Sequence, residues 1–210
     1  MKEFKTIGKK EYQIELIEKK SRFIAHTYYV ESVQEAEEKI ENIKKKYYDA
    51  RHNCYAYRII QEEQILQKSS DDGEPQGTAG APILGVLEKN KLENVLIIVT
   101  RYFGGILLGT GGLVKAYSES TIQVINEAGI IKMQEGLEMK ITIPYSDFAS
   151  FKYFCNKEKI KIEKEEYLEN IIVVIELSEE KERRFFREYK ELGFKIIQME
   201  KNVKKLIRKN

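Results

Sequence analysis

The stretch that decides the fold of the first half of the chain is NVLIIVTRYFGGILLGTGGLVKAYSES, residues 94–120. Its first part, 94–100, is a continuous run of mostly β-branched and aliphatic residues, which predicts a strand covered on both faces. Apolar and small residues then recur at helical spacing from Leu113 to Ala128, and Gly129 is placed to end a helix as its C-cap. The stretch therefore predicts a strand, a glycine-rich turn and a long buried helix.

The residues before this stretch predict more strands and helices of the same domain. Alternating apolar residues indicate strands near 12–16, 23–30 and 53–60. A helix follows the second of these strands, because Ser32 begins an S-x-x-E capping box ahead of apolar residues at helical spacing. Pro82 stands at an early position of a second, short helix. The first domain therefore combines a sheet with helices.

The pattern of strands and helices restarts after Gly136. A helix rich in phenylalanine follows the first new strand, and a second helix is capped by Ser178 and ends before Gly193. The strands are predicted at 137–143, 160–168, 171–177 and 194–199. The order β-α-β-β-α-β is typical of the ferredoxin-like fold.

These patterns predict an α+β chain of two domains. The first covers 1–132, the ferredoxin-like second covers 137–202, and a basic tail follows at 203–210. With 33% charged and 42% hydrophobic residues, the chain has an ordinary globular composition. Its net charge of +2 is small, so any affinity for nucleic acid has to come from local patches.

The same composition bounds the compartment. No run of about eighteen apolar residues occurs, and the N-terminus lacks the apolar core of a secretory signal. We therefore expect a cytoplasmic protein without membrane contact. Cys54 and Cys155 form no CxxC pair, and we expect both to be free thiols.

The glycine-rich turn has the general order of a phosphate-binding loop, in which backbone amides at a helix start face an anion. Gly104 and Gly109 have the spacing of a P-loop, but the Lys and Ser/Thr that should follow are absent, and no G-x-G-x-x-G is formed. Arg101 and Lys115 flank the turn and can complete a site for a phosphate, including one of an RNA backbone. Alternatively, the glycines serve tight packing and positive φ values.

The loop SSDDGEPQGTAG, residues 69–80, carries a second polar cluster. Asp71, Asp72 and Glu74 can gather a divalent cation or act as acids and bases, although their spacing is not that of an EF-hand. The alternative is a hydrogen-bonded turn whose carboxylates hold nearby arginines in place. Those arginines are Arg51, Arg58 and Arg101.

His52 and Cys54 alternate on one predicted strand, so their side chains share a face and a Cys-His nucleophile pair is formally possible. A packed cysteine beside a satisfied histidine is the alternative. A structural zinc site would need His26, His52, Cys54 and a fourth ligand. Cys155 is a poor candidate for the fourth ligand, because it lies in the other domain. We expect no metal.

Tyrosines and basic residues are mixed in the first domain, and this mixture is typical of surfaces that stack bases and grip phosphates. Tyrosines at strand spacing also occur simply in cores and at their rims. The residues concerned are Tyr47, Tyr48, Tyr55, Tyr57 and Tyr102, with Lys44 to Lys46, Arg51, Arg58 and Arg101.

Four sequence blocks, in this order, resemble the signature of the YigZ/IMPACT family. They are SRFIAH (21–26), ARHNCYAY (50–57), DDGEPQGTAGAP (71–82) and VTRYFGGILLGTGGLVKAYSES (99–120). The resemblance covers about 20–130, and the second domain is similar to the small C-terminal domain of bacterial members. Lys115 stands where many relatives have Arg, which keeps the charge but loses bidentate geometry.

The resemblance implies a first domain with the fold of the second domain of ribosomal protein S5. It also implies a second domain like the last domain of the elongation factor for translocation, in which the two domains follow one another and act on the ribosome. Eukaryotic relatives regulate the kinase response to amino-acid starvation by competing for its activator protein, a partner that does not carry over to a bacterial-style chain. The same fold hosts small-molecule kinases, but TGGLVKA departs from their motif.

We therefore predict a non-catalytic binding or regulatory protein of translation, without cofactor, whose partner is RNA, the ribosome or a translation-associated protein. The alternatives are an enzyme or sensor that binds a phosphate-bearing small molecule at the glycine-rich loop, and a pure protein-interaction module. The predicted contact surface comprises Arg51, His52, Asn53, Arg101, Tyr102, Gly104, Gly105, Gly111, Gly112 and Lys115, with Asp71, Asp72 and Glu74 as its organisers.

Overall fold

The computed structural model describes residues 3–62, 64–189 and 194–208. The chain is α+β, as predicted, and divides into two compact units. Phe4–Ile131 form the first unit, and Lys132–Asn210 with Met1–Glu3 form the second. Among the described residues no helix combines the length and apolarity that a membrane span requires.

The first unit is a three-layer arrangement around an antiparallel sheet. Its elements are β1 (Glu3–Ile7), β2 (Glu11–Glu18), β3 (Ser21–Tyr29), α1 (Val33–Lys46), β4 (His52–Gln61), β5 (Gln64–Ser70), α2 (Gly80–Lys89), β6 (Val95–Tyr102) and α3 (Gly109–Ala128). The sheet has the order β2-β3-β6-β4-β5. Helices α2 and α3 pack on one face, and α1 packs on the other.

The buried strand β6 sits at the centre of this sheet, as its apolar run predicts. Because side chains alternate along a strand, Val95, Ile97 and Val99 pack against α2 and α3, while Leu96 and Ile98 pack against α1. Both faces of the strand are covered, so its central residues carry no polar side chain.

The predicted helix signals are confirmed in the first unit. The Ser32 Oγ accepts a hydrogen bond from the Glu35 amide at 3.1 Å, which caps α1. Gly129 ends α3 with a φ of 75°. Pro82 lies in the first turn of α2, where its missing amide hydrogen is not needed.

Three features of the first unit differ from the sequence prediction, and the first is β1, a strand that was not predicted. Strand β5 was not predicted, because it is an edge strand whose side chains are nearly all exposed and so lack apolar alternation. Helix α3 begins at Gly109 rather than at Leu113. The four preceding residues, GTGG, give no apolar signal, yet they form the first turn of the helix.

The second unit is an antiparallel sheet with two helices. Its elements are β7 (Ile130–Ile143), α4 (Tyr145–Lys157), β8 (Lys161–Tyr167), β9 (Ile171–Ser178), α5 (Glu179–Glu188) and β10 (Gln198–Arg208). The strands pair in the order β10-β7-β9-β8, the split arrangement of a ferredoxin-like domain. The Ser178 Oγ accepts from the Lys181 amide at 3.3 Å, so the predicted cap of α5 is confirmed.

The last strand lies further along the chain than the sequence indicated. The prediction placed it at 194–199 and treated 203–210 as a basic tail, whereas β10 runs to Arg208 and pairs with β7. Strands pair through backbone hydrogen bonds, which basic side chains do not prevent. The lysines break the apolar alternation that predicts a strand, so the sequence did not indicate one here. Gly193, expected to follow α5, and residues 209–210 lie outside the described residues.

Candidate functional site

The candidate site lies at one end of the first sheet. His52 at the start of β4 pairs with Arg101 near the end of β6, and Arg22 of β3 pairs with Tyr102 on the other side. Two loops leave the sheet at this end, 71–79 before α2 and 103–108 before α3. Antiparallel pairing therefore brings together segments that are far apart in sequence.

A buried ion pair joins the first of these loops to strand β6. The Glu74 Oε1 accepts hydrogen bonds from the Arg101 Nη1 at 2.7 Å and from the Tyr117 hydroxyl at 2.8 Å. The side chains of Glu74 and Arg101 are only 3% and 8% exposed. Burial raises the pKa of Tyr117, so its hydroxyl remains a donor. The guanidinium of Arg101 is thus an internal component of the site.

The other end of Arg101 holds the glycine loop in place. Its Nη2 lies 3.4 Å from the Ser21 Oγ, which accepts a hydrogen bond from the Gly104 amide at 3.2 Å. A Cβ on Gly104 would lie 2.0 Å from the backbone carbon of Lys20, so only glycine fits this close approach. Gly104 therefore has a packing role.

Asp71 organises the acidic loop. Its carboxylate accepts from the backbone amides of Gly77, Ala79 and Gly80 at 2.8, 3.0 and 2.8 Å. Burial acts to raise the pKa of Asp71, but these three amides outweigh it and the pKa is lowered. Asp71 thereby satisfies amides at the start of α2, whose own N-cap residue, Ala79, has no polar side chain.

Asp72 ties the loop to α1 and β4. Its carboxylate accepts hydrogen bonds from the Lys44 Nζ at 2.6 Å and from the backbone amide of Asn53 at 2.7 Å. Its backbone carbonyl lies 2.9 Å from the His52 Nδ1, which must be the donor because a carbonyl only accepts. The His52 Nε2 then faces the Glu74 carboxylate at 4.0 Å. All three acidic residues therefore have internal partners.

Cys54 lies in the same cluster without the features of a nucleophile. Its Sγ donates to the Asp71 carbonyl at 2.9 Å and lies 3.3 Å from the Tyr117 hydroxyl. Burial raises the pKa of Cys54 to about 12, so the thiol is protonated at neutral pH. Both cysteines are free, as predicted. Among the described residues, no group of three or more His, Cys, Asp or Glu side chains is placed to hold a metal ion.

The sheet divides the predicted contact residues between its two faces. His52 and Arg101 point toward α2 and α3, where they meet Glu74. Asn53 and Tyr102 point toward α1: the Asn53 Oδ1 accepts from Thr100, and the Tyr102 hydroxyl donates to Asp49, both at 2.7 Å. The structure thus does not bring the predicted residues together in one patch.

Apart from Arg51, the remaining predicted residues lie on or beside α3. Gly111 and Gly112 are in its first turn, where amides lack intrahelical acceptors, and no side chain caps this end. Lys115 is exposed one turn further on. Gly105 has a φ of 84°, which favours glycine. This end of α3 retains the capacity to face an anion.

On the α1 side lie several basic and aromatic side chains, all exposed except the half-buried Tyr102, which together we call the basic–aromatic patch. The Arg22 guanidinium lies 5.3 Å from the centre of the Tyr102 ring. The Tyr102 hydroxyl donates a hydrogen bond to Asp49, the residue that follows Tyr48. Arg51 directly precedes β4 and is exposed. The patch comprises Arg22, Lys46, Tyr48, Arg51 and Tyr102.

Sequence reasoning missed three residues of this site. Arg22 was not identified because it falls in a strand, and nothing local indicates that it meets Tyr102. Ser21 and Tyr117 were missed for the same reason. Tyr117 did offer a signal, since it places a bulky polar side chain on the buried face of α3, among small and aliphatic residues.

The second unit contains a separate cavity of ≈ 210 Å³. Phe154 and Phe185 contribute apolar lining, and Glu158 and Arg184 form an ion pair of 2.9 Å at the cavity. None of the predicted site residues lines it.

The sequence was compared with known families and proteins. The sequence model of the Impact N-terminal domain matches residues 19–125, and that of a domain of unknown function, DUF1949, matches 141–188. The IMPACT family member YvyE of Bacillus subtilis is 40% identical over 175 residues, which cover 83% of this chain and 80% of the relative. An IMPACT family member of Haemophilus influenzae is 36% identical and is covered over 89% of its length, with 86% of this chain aligned.

A solved structure is similar to this chain over nearly its whole length. It is described as the crystal structure of a hypothetical protein, and it is 27% identical with a TM-score of 0.62. The superposition covers 95% of this chain and 98% of the other. Together with the relatives and the match of the first domain, this likeness extends over both units. The chain therefore belongs to the IMPACT family.

Proposed function

We propose that this protein is a cytoplasmic, non-catalytic binding protein linked to translation, and that its basic–aromatic patch contacts RNA, free or in the ribosome. The observation that carries the proposal is this patch itself. Exposed aromatic rings stack on bases of any sequence, and neighbouring cations bind the phosphates between them. A surface with both features suits single-stranded or looped RNA.

Tyr48 and Arg51 are the members of the patch most open to contact, whereas the Arg22 guanidinium pairs with the Glu15 carboxylate at 2.9 Å. Tyr48 is 85% exposed, so a base can reach its ring. Arg51 is exposed and has no ion-pair partner among the described residues. The charge of Lys46 lies 5.1 Å from the ring of Tyr47, on the same surface. A strand of RNA that follows this surface meets cations and rings within a short distance.

The acidic cluster behind the patch supports a positioning role. Asp72 binds both Lys44 at the end of α1 and the Asn53 amide of β4, so it fixes the two elements that border the patch. Because its charge is neutralised by Lys44, it repels phosphate less than an unpaired carboxylate. We assign Asp71, Asp72 and Glu74 to the organisation of the site.

The link to translation rests on family membership and on the domain pair that the family resemblance implies. Two domains of these folds, in this order, act on the ribosome in the elongation factor for translocation. Folds are reused for unrelated functions, so the RNA contact itself needs a direct test.

That test is co-sedimentation of the full chain with ribosomes and with a structured RNA, over a series of salt concentrations. We expect Arg51→Glu to weaken RNA binding about fivefold to tenfold and to lower the salt slope by about one phosphate contact. Lys89→Glu is the matched control, because Lys89 is equally exposed but ends α2. Binding to neither target, or equal loss in both variants, overturns the proposal. Binding to ribosomes that is insensitive to salt instead indicates a translation-associated protein partner.

A second candidate is favoured by the uncapped start of α3, where the first-turn amides and Lys115 can receive a phosphate-bearing small molecule. The test of this candidate compares the melting temperature of the protein alone with that in millimolar ATP, GTP or pyrophosphate. A ligand present at about 100 times its Kd stabilises the folded state by about 2.7 kcal/mol. An unchanged melting temperature with all three excludes this candidate for these ligands.

A further inference from the structure

Helix α3 has an outer face whose aliphatic side chains the described residues leave partly exposed. Val114 and Ile122 are 39% and 45% exposed, high values for aliphatic side chains. Gly111 precedes Val114 by three residues, and Ser118 lies four residues from both Val114 and Ile122. At this helical spacing the four residues form one line along the helix. We call this line the α3 stripe: Gly111, Val114, Ser118 and Ile122.

Neither close packing nor a positive φ requires glycine at position 111 in the described part of the chain. Gly111 lies in a helix, where glycine is less stable than alanine. Its φ is not in the left-handed region, and an added Cβ would meet no atom within 4 Å. The space beside Gly111 is therefore open, and a side chain of another molecule can approach the helix backbone there.

Charged side chains border the stripe along one side. Lys115 and Glu119 are both exposed and lie one turn apart on this helix. Neither has an ion-pair partner among the residues that the structure describes. One rim of the stripe therefore carries a positive charge nearer the start of the helix and a negative charge nearer its end.

We infer that the α3 stripe is the contact surface of a symmetric dimer, in which α3 packs antiparallel against α3 of a second copy. A two-fold axis places each residue opposite one at equal distance from the centre of the contact. With the centre between residues 116 and 117, Gly111 is level with Ile122 of the second copy. In the same register, Lys115 is within one residue of Glu119 of the second copy.

This register makes the stripe complementary to itself in shape and in charge. Ile122 of each copy fills the open space beside Gly111 of the other, and Val114 lies near Ser118. A two-fold axis keeps each rim on its own side, so Lys115 meets Glu119 twice. An interface of one helix pair is smaller than the roughly 800 Å² per partner of a standard complex. Small interfaces are typical of weak, transient complexes, so we expect a dissociation constant on the order of 10 μM.

The test is sedimentation equilibrium of the full chain from about 1 to 500 μM, a range chosen around the expected Kd. We expect Lys115→Glu and Glu119→Lys to raise the dissociation constant roughly tenfold each, because each change creates two like-charge contacts. The double variant carrying both changes restores the two attractive pairs and regains the wild-type constant. Ile122→Lys abolishes dimerisation, whereas Ile17→Lys, 63% exposed on β2, leaves it unchanged.

Four results overturn the inference. The first is a chain that stays monomeric at every concentration. The second is a chain that stays monomeric while its Ile122→Lys variant alone loses binding to phosphatidylglycerol vesicles, since a lipid surface then occupies the stripe. The third is a dimer that both single charge reversals leave intact. The fourth is a double variant as weak as either single one. Circular dichroism of each variant separates loss of contact from loss of folding.

Discussion

The ion pair between Glu74 and Arg101 supports a quantitative prediction about stability. Replacing Glu74 by Leu leaves the Arg101 guanidinium almost fully buried without its counter-charge, because that side chain is only 8% exposed. Removing one partner of a buried pair costs about 3–5 kcal/mol. The lost acceptor of the Tyr117 hydroxyl adds about 1 kcal/mol. The expected loss, about 4–6 kcal/mol, is a large part of the 5–15 kcal/mol typical of a folded domain.

The matching double variant makes this prediction specific. Arg101→Met removes the cation and leaves a buried carboxylate, so we expect a similar loss of about 3–5 kcal/mol. Combining Glu74→Leu with Arg101→Met replaces the pair by two apolar side chains of similar volume. Such replacements are often neutral, so the double variant should lie within about 2 kcal/mol of the wild type.

The assay is native-state hydrogen exchange of the β6 amides, read by mass spectrometry. It reports the stability of the first unit alone, which matters because a chain of two units need not unfold in one transition. A Glu74→Leu variant within about 1 kcal/mol of the wild type would refute the reasoning, and so would losses that simply add in the double variant. Either result means that solvent reaches Arg101.

Two further predictions concern the loops. Asp71→Asn should cost about 1–2 kcal/mol at neutral pH, because three backbone donors keep a weaker acceptor. Burial acts to raise the pKa of Asp71, but the amides hold it below the ordinary 3.8. The stabilisation is therefore complete above that pH and disappears as the pH falls through the lowered pKa; a gap between the variants that persists unchanged to about pH 2 contradicts this account. Gly104→Ala should cost about 3 kcal/mol or more in urea unfolding, since the new Cβ meets the backbone of Lys20, whereas Gly85→Ala, with open space in α2, should add about 0.5–1 kcal/mol. Equal effects of the two glycine changes would show that the loop around Gly104 shifts to accommodate the added Cβ.

Most of the fold follows from local sequence signals. The apolar run at 95–99 predicts a strand covered on both faces, and Ser32 and Gly129 mark helix ends that the structure confirms. Strand β5 lies beyond such reasoning, because an exposed edge strand is held by backbone hydrogen bonds to its neighbour. Its formation depends on β4, and its own residues carry no pattern.

The candidate site was harder to predict than the fold, because burial depends on contacts between distant segments. Arg101 follows a strand and precedes a glycine loop, a context that suggests an exposed phosphate ligand. Its burial results from Glu74, 27 residues before it, and Tyr117, 16 residues after it, which a single strand pattern does not relate. Arg51, which directly precedes β4, is exposed and forms no ion pair with a described residue.

The sheet that separates Arg101 from Tyr102 also separates the two proposed surfaces. The basic–aromatic patch lies on the α1 side, and the α3 stripe lies on the opposite face of the first unit. A dimer formed through α3 therefore leaves both patches free, and each RNA site behaves independently unless one RNA spans two copies. Arg51→Glu should then change RNA binding without changing the dissociation constant of the dimer. Ile122→Lys should weaken the dimer without changing the RNA affinity of a single copy. A long RNA that spans two copies should lose only the avidity gained from the two linked sites. If either variant changes both properties while circular dichroism shows it folded, the two surfaces are coupled through the sheet that lies between them.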